Sequence, residues 1–137
     1  MNRKSEGFTL IELMVVVVII AALAAMILPH VLPASEDAKI RIARADIANI
    51  QNIGLGLFHL HMDRYPTNEE GLNALISRPA SSGEWKGPYL KKRPVDPWKE
   101  PYLYRVPGTR NITGGPDVWS KGPDRKEGTS DDVWPEE

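Results

Sequence analysis

The chain has 137 residues, room for one ordinary domain. Its 17 Lys and Arg nearly balance 18 Asp and Glu, for a net charge of −1, so it lacks the basic excess of a nucleic-acid binder. With no cysteine it excludes disulfides, iron–sulfur clusters, thiolate zinc sites and a cysteine nucleophile together.

Residues 1–7, MNRKSEG, are short and basic through Arg3 and Lys4. FTLIELMVVVVIIAALAAMIL follows over residues 8–28, with Glu12 its one charge. At 1.5 Å per residue a helix of this length reaches roughly 30 Å, the thickness of a bilayer core. A cleavable secretory signal has an apolar region of about 7–15 residues, so this run is too long, although Ala22-Leu23-Ala24 resembles a signal-peptidase site. The simplest reading is a single-span anchor with Arg3 and Lys4 on the cytoplasmic side. Glu12 does not fit a plain anchor, because a carboxylate in a membrane span costs roughly 2.5–3.5 kcal/mol. No Lys, Arg or His lies between Phe8 and Leu28 to pair with it. A new amino terminus made by cutting between Gly7 and Phe8 would supply a cation four residues before Glu12, from the same chain or from a neighbouring copy.

Pro29 and Pro33, with His30 between them, predict a bend or melted stretch where the run ends. A helix is expected to restart with Ser35 as N-cap and with Glu36 and Asp37 at its positive end. Ile40, Ala43, Ile47, Ile50, Gly54, Leu57 and His61 recur in steps of 3 and 4, which is helical periodicity. A second stripe through Ile42, Ile53 and Leu60 makes the helix apolar on more than one side. Either one stripe packs on the domain and the other on neighbours, or the helix is buried deep in its own domain. His59 and His61 with Asp63 invite a metal reading, but residues two apart on a helix point to different faces, which favours surface or half-buried histidines.

Tyr65-Pro66 is expected to end the helix, and Thr67 with Glu70 fits a capping box. A short helix with Leu72, Leu75 and Ile76 on one side follows, then loop chemistry over residues 77–87. Residues 102–106, YLYRV, read as a strand, and residues 117–120, DVWS, as a shorter one. The resulting class is α+β, one long helix on a small, mostly antiparallel sheet. The last 21 residues hold seven acids and three bases. Composition alone allows a solvated tail. Gly122 and Gly128 also permit turns that bring Asp124 near Asp131 and Asp132, and such an oxygen cage suits Ca²⁺ better than Mg²⁺. The spacing after Asp124 is not that of an EF-hand. A membrane-tethered hydrolase finds no support: G-x-S-x-G, H-E-x-x-H and a Gly-rich phosphate loop are all missing.

GFTLIE followed by the apolar run resembles the prepilin signal of type IV pilins and type II secretion pseudopilins. YPTNEEGLNAL (65–75), VDPWKEPYLY (95–104) and SKGPDRKEGTSDD (120–132) resemble stretches of the major pseudopilin family of the type II secretion system. The chain departs from that pattern at Lys99-Glu100, where the family usually has Gly-Asn, and at Arg125, where it often has Gly. The resemblance implies a non-enzymatic, type IV pilin-like subunit with a leader at 1–7, a membrane and filament-core helix at 8–28, a stem at 29–64 and a globular head at 65–137. It implies cleavage by prepilin peptidase after Gly7, N-methylation of Phe8, and pairing of Glu12 with the Phe8 amine of a neighbouring subunit. It implies a single-pass inner-membrane protein with a periplasmic head, polymerising into a helical homopolymer with minor pseudopilins and an inner-membrane assembly platform, without nucleic acid. The filament would drive export of folded proteins across the outer membrane; the alternative is a type IV pilin for adhesion, motility or DNA uptake. The resemblance also implies a calcium loop with side chains from Asp124, Asp131 and Asp132 and further oxygen ligands among Ser120, Lys121 and Val133. Such an ion would take the place of the disulfide that fastens this region in many type IV pilins, since binding only the folded form stabilises it.

Overall fold

A computed structural model describes the chain except residues 1–6, 32–34, 82, 112 and 137, and gives only the backbone of 27–31. The chain divides into two compact units, Met1–Ala34 and Ser35–Glu137. In the first unit, helix α1 runs over Leu10–Val31. Its backbone stays helical through Pro29, while Pro33 and most of the expected leader lie outside the described residues. Every large apolar side chain from Phe8 to Met26 is exposed, Phe8 by 87%. Among the described residues no helix is long and apolar enough to cross a membrane; the described side chains of α1 stop at residue 26 while its helical backbone continues to Val31.

The second unit begins as the sequence predicts. Ser35 caps helix α2, Glu36–Asn49, by accepting the Ala38 N–H at 3.3 Å. A π-helical turn, Ile50–Leu55, joins α2 to helix α3, Gly56–Met62. This turn corrects the predicted stripe. Ala43, Ile47, Ile50 and Gly54 are buried as expected, but Leu57 is 39% exposed and the buried face continues through Leu55 and Phe58 instead. A π-turn takes one residue more than an α-turn, so every later side chain is rotated relative to a strict 3–4 alternation. Gly54 sits in this turn, where a Cβ would lie 3.0 Å from Leu75 Cδ1 and 3.4 Å from the Leu90 side chain. The second stripe, Ile42, Ile53 and Leu60, is exposed, so the helix is not buried on all sides. α3 ends before Tyr65-Pro66, at Asp63, which adopts a left-handed φ of 53° that short polar residues tolerate.

The capping box forms as expected: Glu70 N–H donates to Thr67 Oγ1 at 3.2 Å, and Thr67 N–H donates to Glu70 Oε2 at 2.9 Å. The short helix it starts is a 3₁₀ turn over Gly71–Leu75. The sheet among the described residues has two antiparallel strands, β1 (Leu103–Arg105) and β2 (Asp117–Trp119), with Tyr104 opposite Val118. Isolated antiparallel bridges join Val95 to Pro101 and Ser120 to Val133. One core holds the unit together: Ile47, Ile50 and Phe58 of the helical segment pack with Leu72, Leu75, Trp98, Tyr102, Val118 and Val133.

Candidate assembly and ion sites

The sequence singles out two sites, one at each end of the chain. At the amino-terminal end Gly7 and Phe8 precede α1 and are exposed. Glu12 lies in the first turn of α1 and accepts hydrogen bonds on Oε2 from the Thr9 N–H and the Thr9 hydroxyl, each at 2.8 Å. The Glu12 N–H donates back to Thr9 Oγ1 at 3.3 Å. Thr9 and Glu12 therefore make a capping box, which holds the carboxylate against its own helix start. The T-x-x-E spacing of Thr9 and Glu12 is the sequence signal for this box.

At the carboxyl-terminal end the acidic loop is closed at its base. Ser120 and Val133 exchange both backbone hydrogen bonds, at 3.0 and 2.9 Å. Above this base Gly122 has φ of 68°, and a Cβ there would fall 1.8 Å from the Asp131 carbonyl oxygen, so the two arms touch only because residue 122 is glycine. Asp124 Oδ1 accepts the Lys126 N–H at 2.9 Å, and Asp132 Oδ2 accepts the Gly128 N–H at 2.9 Å. The Lys121 ammonium reaches out to Glu100 at 3.9 Å. The Ser120 hydroxyl is engaged twice, donating to Asp96 Oδ2 and accepting the Gly122 N–H at 3.0 Å. Among the described residues no three acidic or histidine side chains are gathered so as to hold a metal ion, so Asp124, Asp131 and Asp132 do not form one cluster. One oxygen nonetheless fits a hard cation: Asp132 Oδ1 is buried with no hydrogen-bond partner, in a loop that also carries the carboxylates of Asp124, Glu127 and Asp131 alongside the cations Lys121, Arg125 and Lys126.

The histidines stay apart. His59 stacks on Tyr65 with ring centres 4.4 Å apart, and His61 Nδ1 lies 3.1 Å from the Tyr89 hydroxyl.

Asp96, 3% exposed, is the residue the sequence reading missed. Its Oδ1 accepts the N–H groups of Trp98 and Glu100 at 3.0 and 2.9 Å, which folds the Asp-Pro-Trp turn back on itself. Its other oxygen takes the Ser120 hydroxyl, so the same carboxylate fastens the first residue of the acidic loop. An Asp before Pro in a turn was the available signal. Asp117, also buried, does similar work for residues 109–111, whose three backbone N–H groups donate to it at 2.7–3.1 Å. Burial pushes this carboxyl up, but the donors together outweigh it and hold it below its ordinary range.

A stem helix packed on a two-stranded antiparallel sheet, preceded by an apolar helix with a carboxylate in its first turn, defines a pilin-like subunit. Comparison with known proteins makes the class specific. Residues 30–134 match the family model described as type II secretion system (T2SS), protein G, and residues 2–28 match the prokaryotic N-terminal methylation motif. The type II secretion system core protein G of Pseudomonas aeruginosa is 45% identical over 135 residues, covering 95% of this chain and 92% of that protein. Its counterpart in Aeromonas hydrophila is 39% identical over 136 residues, covering 96% and 92%. The crystal structure of the major pseudopilin from the type 2 secretion system of enterohaemorrhagic Escherichia coli superposes with a TM-score of 0.64 at 30% identity, covering 75% of this chain and 90% of that one. The chain belongs to the type II secretion system protein G family. It is a structural subunit of the pseudopilus, an assembly of the cell envelope built with other components of that system, and not an enzyme. The family match carries secretion and leaves the type IV pilin alternative without support.

Proposed function

We propose that this subunit is made as a precursor, cut by prepilin peptidase between Gly7 and Phe8 and N-methylated on Phe8. Residues 8–28 then anchor it in the inner membrane with its head, 65–137, in the periplasm and residues 29–64 as the stem between. From the membrane it polymerises, with minor pseudopilins and an assembly platform, into a helical filament that drives folded proteins across the outer membrane. One observation carries this reading: the exposed apolar side chains from Phe8 to Met26 are broken by Thr9 and Glu12, and Glu12 is the single carboxylate among them. Such a surface must be covered by lipid before assembly and by neighbouring helices after it. In the single subunit Thr9 donates twice to Glu12 Oε2. In the filament the Phe8 amine of a neighbour takes it over, exchanging a neutral donor for a charged one.

The acidic loop holds calcium in this reading. Asp132, whose Oδ1 has no protein donor, is its principal side-chain ligand; Asp124 and Asp131, which are not gathered with it in the single subunit, join it on binding. The hydroxyl of Ser120 is already committed to Asp96 and Gly122, and the Ser120 and Val133 carbonyls each accept one backbone N–H, so in this reading Lys121 offers its carbonyl oxygen and Ser120 and Val133 the second lone pair of theirs.

The test is complementation of a strain lacking its own major pseudopilin. Gly7→Glu should leave a membrane-inserted, uncleaved precursor, and Glu12→Ala a cleaved, membrane-inserted protein that yields no pseudopili. Normal processing of the first variant sinks the cleavage site, and normal pseudopili from the second sink the intersubunit pairing.

A further inference from the structure

We infer that the two arms of the acidic loop are latched by a stack of two indoles and two guanidinium groups, so that the loop base stays closed without any divalent cation. The observation is a chain of four side chains from four separate segments. Trp134, just after the loop, lies parallel to Trp119 of β2, with ring centres 4.9 Å apart and planes 8° from parallel. The Arg110 guanidinium lies 4.2 Å from the Trp134 ring centre, and that of Arg105 lies 5.1 Å from the Trp119 ring centre. Each indole thus faces the other ring and has a cation within cation–π range.

The platform under Trp134 is rigid. Trp119 is 4% exposed and sits in the paired strand β2. Arg105 is tied to Thr109 Oγ1 at 2.8 Å, and Asp117 holds the backbone of Thr109, Arg110 and Asn111. The Arg105 guanidinium is therefore positioned by contacts other than the rings, and the backbone that carries Arg110 is fixed by Asp117, so part of the freedom that docking Trp134 would cost is already lost. Closing the loop on the two Ser120–Val133 hydrogen bonds alone sets a small gain against the entropy of the chain between them. The stack adds contacts on the far side of Val133 and needs no ion. The inference goes beyond the reading of the loop as a calcium site and divides the work with it: the stack closes the base and the ion orders the interior.

Amide hydrogen exchange on the full chain in detergent, in excess calcium and in EGTA, separates the two. In the wild type, Ser120 and Val133 should stay protected in EGTA while amides at Lys126 and Gly128 speed up. In Trp134→Ala, protection at Ser120 and Val133 should fall by about tenfold or more in EGTA and recover in calcium. Trp134→Phe should lie between the two, and Arg110→Gln, which touches only an exposed cation, gives the same comparison if Trp134→Ala does not fold. Wild-type Ser120 and Val133 that open in EGTA, or variants that keep full protection there, overturn the latch. If calcium alters no loop amide in the wild type, the ion reading fails, while the difference between wild type and variants in EGTA still decides the latch.

Discussion

The indole N–H of Trp98 donates to the Glu36 carboxylate at 2.9 Å, joining the Asp-Pro-Trp turn to the first turn of α2 across 62 residues of sequence. A second tie lies further along the same helix, where the Tyr102 hydroxyl donates to Asp46 Oδ2 at 2.9 Å. Both aromatic side chains are buried in the core, so each supplies apolar area with its body and orientation with its polar tip. Burial and the facing Asp46 carboxylate hold the Tyr102 phenol far above its ordinary pKa, which keeps its hydroxyl a donor. Tyr102→Phe keeps the ring and removes only the hydrogen bond. It should cost about 1 kcal/mol and lower the melting temperature by a few degrees; an unchanged melting curve shows that this tie does not hold the head to its stem.

Glu70 gives the head a defined acid sensitivity. Its carboxylate pairs with Arg64 at 2.7 and 3.0 Å and also accepts the Ser81 hydroxyl and the Thr67 N–H. The Arg64 guanidinium, helped by these donors, pulls its pKa from an ordinary 4.5 to about 2. A carboxyl depressed in the folded state contributes stability above its unfolded pKa and loses it as pH falls through the folded one. The loss should run between pH 4.5 and about 2, and should amount to about 1–2 kcal/mol because the pair is partly solvated. Glu70→Gln should flatten stability against pH across that window in denaturant titrations. A variant with the wild-type slope removes Glu70 as its source.

Asp117 and Gly108 form one unit. A Cβ at Gly108 would lie 2.5 Å from the Gly115 carbonyl oxygen and 2.6 Å from Asp117 Oδ1. Gly108→Ala should displace the loop that Asp117 holds and cost about 1–3 kcal/mol. Asp117→Asn removes the charge and turns an amide toward three N–H donors, with a cost of about 2–3 kcal/mol. Chemical denaturation of the two single variants and the double variant checks the coupling: the double should cost less than the sum, because both break the same contact. Strict additivity would separate the two residues.

Calcium dependence reads out the Asp132 assignment. Wild-type protein should melt higher in calcium than in EGTA, by mass action on the folded form. Asp132→Asn removes the charge while keeping the acceptor that faces Gly128 N–H, and should abolish most of the difference. An equal calcium response in the variant rules out Asp132 as the principal ligand.

What was legible in the sequence was local. The Ser35 cap and the Thr67–Glu70 box lie within three residues of their partners, and the two strands follow from aromatic and β-branched runs. The π-turn was not legible, because alternating steps of 3 and 4 carry no mark of an inserted residue, and the assignment of Leu57 to the buried face failed there. Non-local pairs were also out of reach. Asp96 meets Ser120 across 24 residues, and the two tryptophans of the latch come from a strand and a segment beyond the loop. The acids of the candidate ion loop are legible in the sequence, whereas the contacts at its two arms are not: Asp96 accepts the Ser120 hydroxyl, Gly122 lies against the Asp131 carbonyl, and Trp134 stacks on Trp119.

The two departures from the family pattern have one physical meaning. Lys99 has φ of 69° and Arg125 has φ of 57°, both in the left-handed region that glycine enters without strain. These are the two positions at which the resembling family carries Gly, so the turns are kept and the side chains bear the cost. The Asp96 carbonyl accepts the Lys99 N–H at 2.9 Å, and the Gly122 carbonyl accepts the Arg125 N–H at 3.2 Å, which pins each turn in place. A left-handed L-residue costs roughly 1–2 kcal/mol, whereas glycine loses about 0.5–1 kcal/mol more conformational entropy on folding. The balance favours glycine slightly. Lys99→Gly and Arg125→Gly should each stabilise the fold by a few tenths to about 1 kcal/mol, and Lys99→Val, with a β-branched side chain forced to positive φ, should destabilise it. The ordering Gly above wild type above Val at residue 99, read from thermal or urea unfolding, is the test. A glycine variant less stable than wild type would mean that the Lys99 side chain makes a contact worth more than the backbone strain it carries.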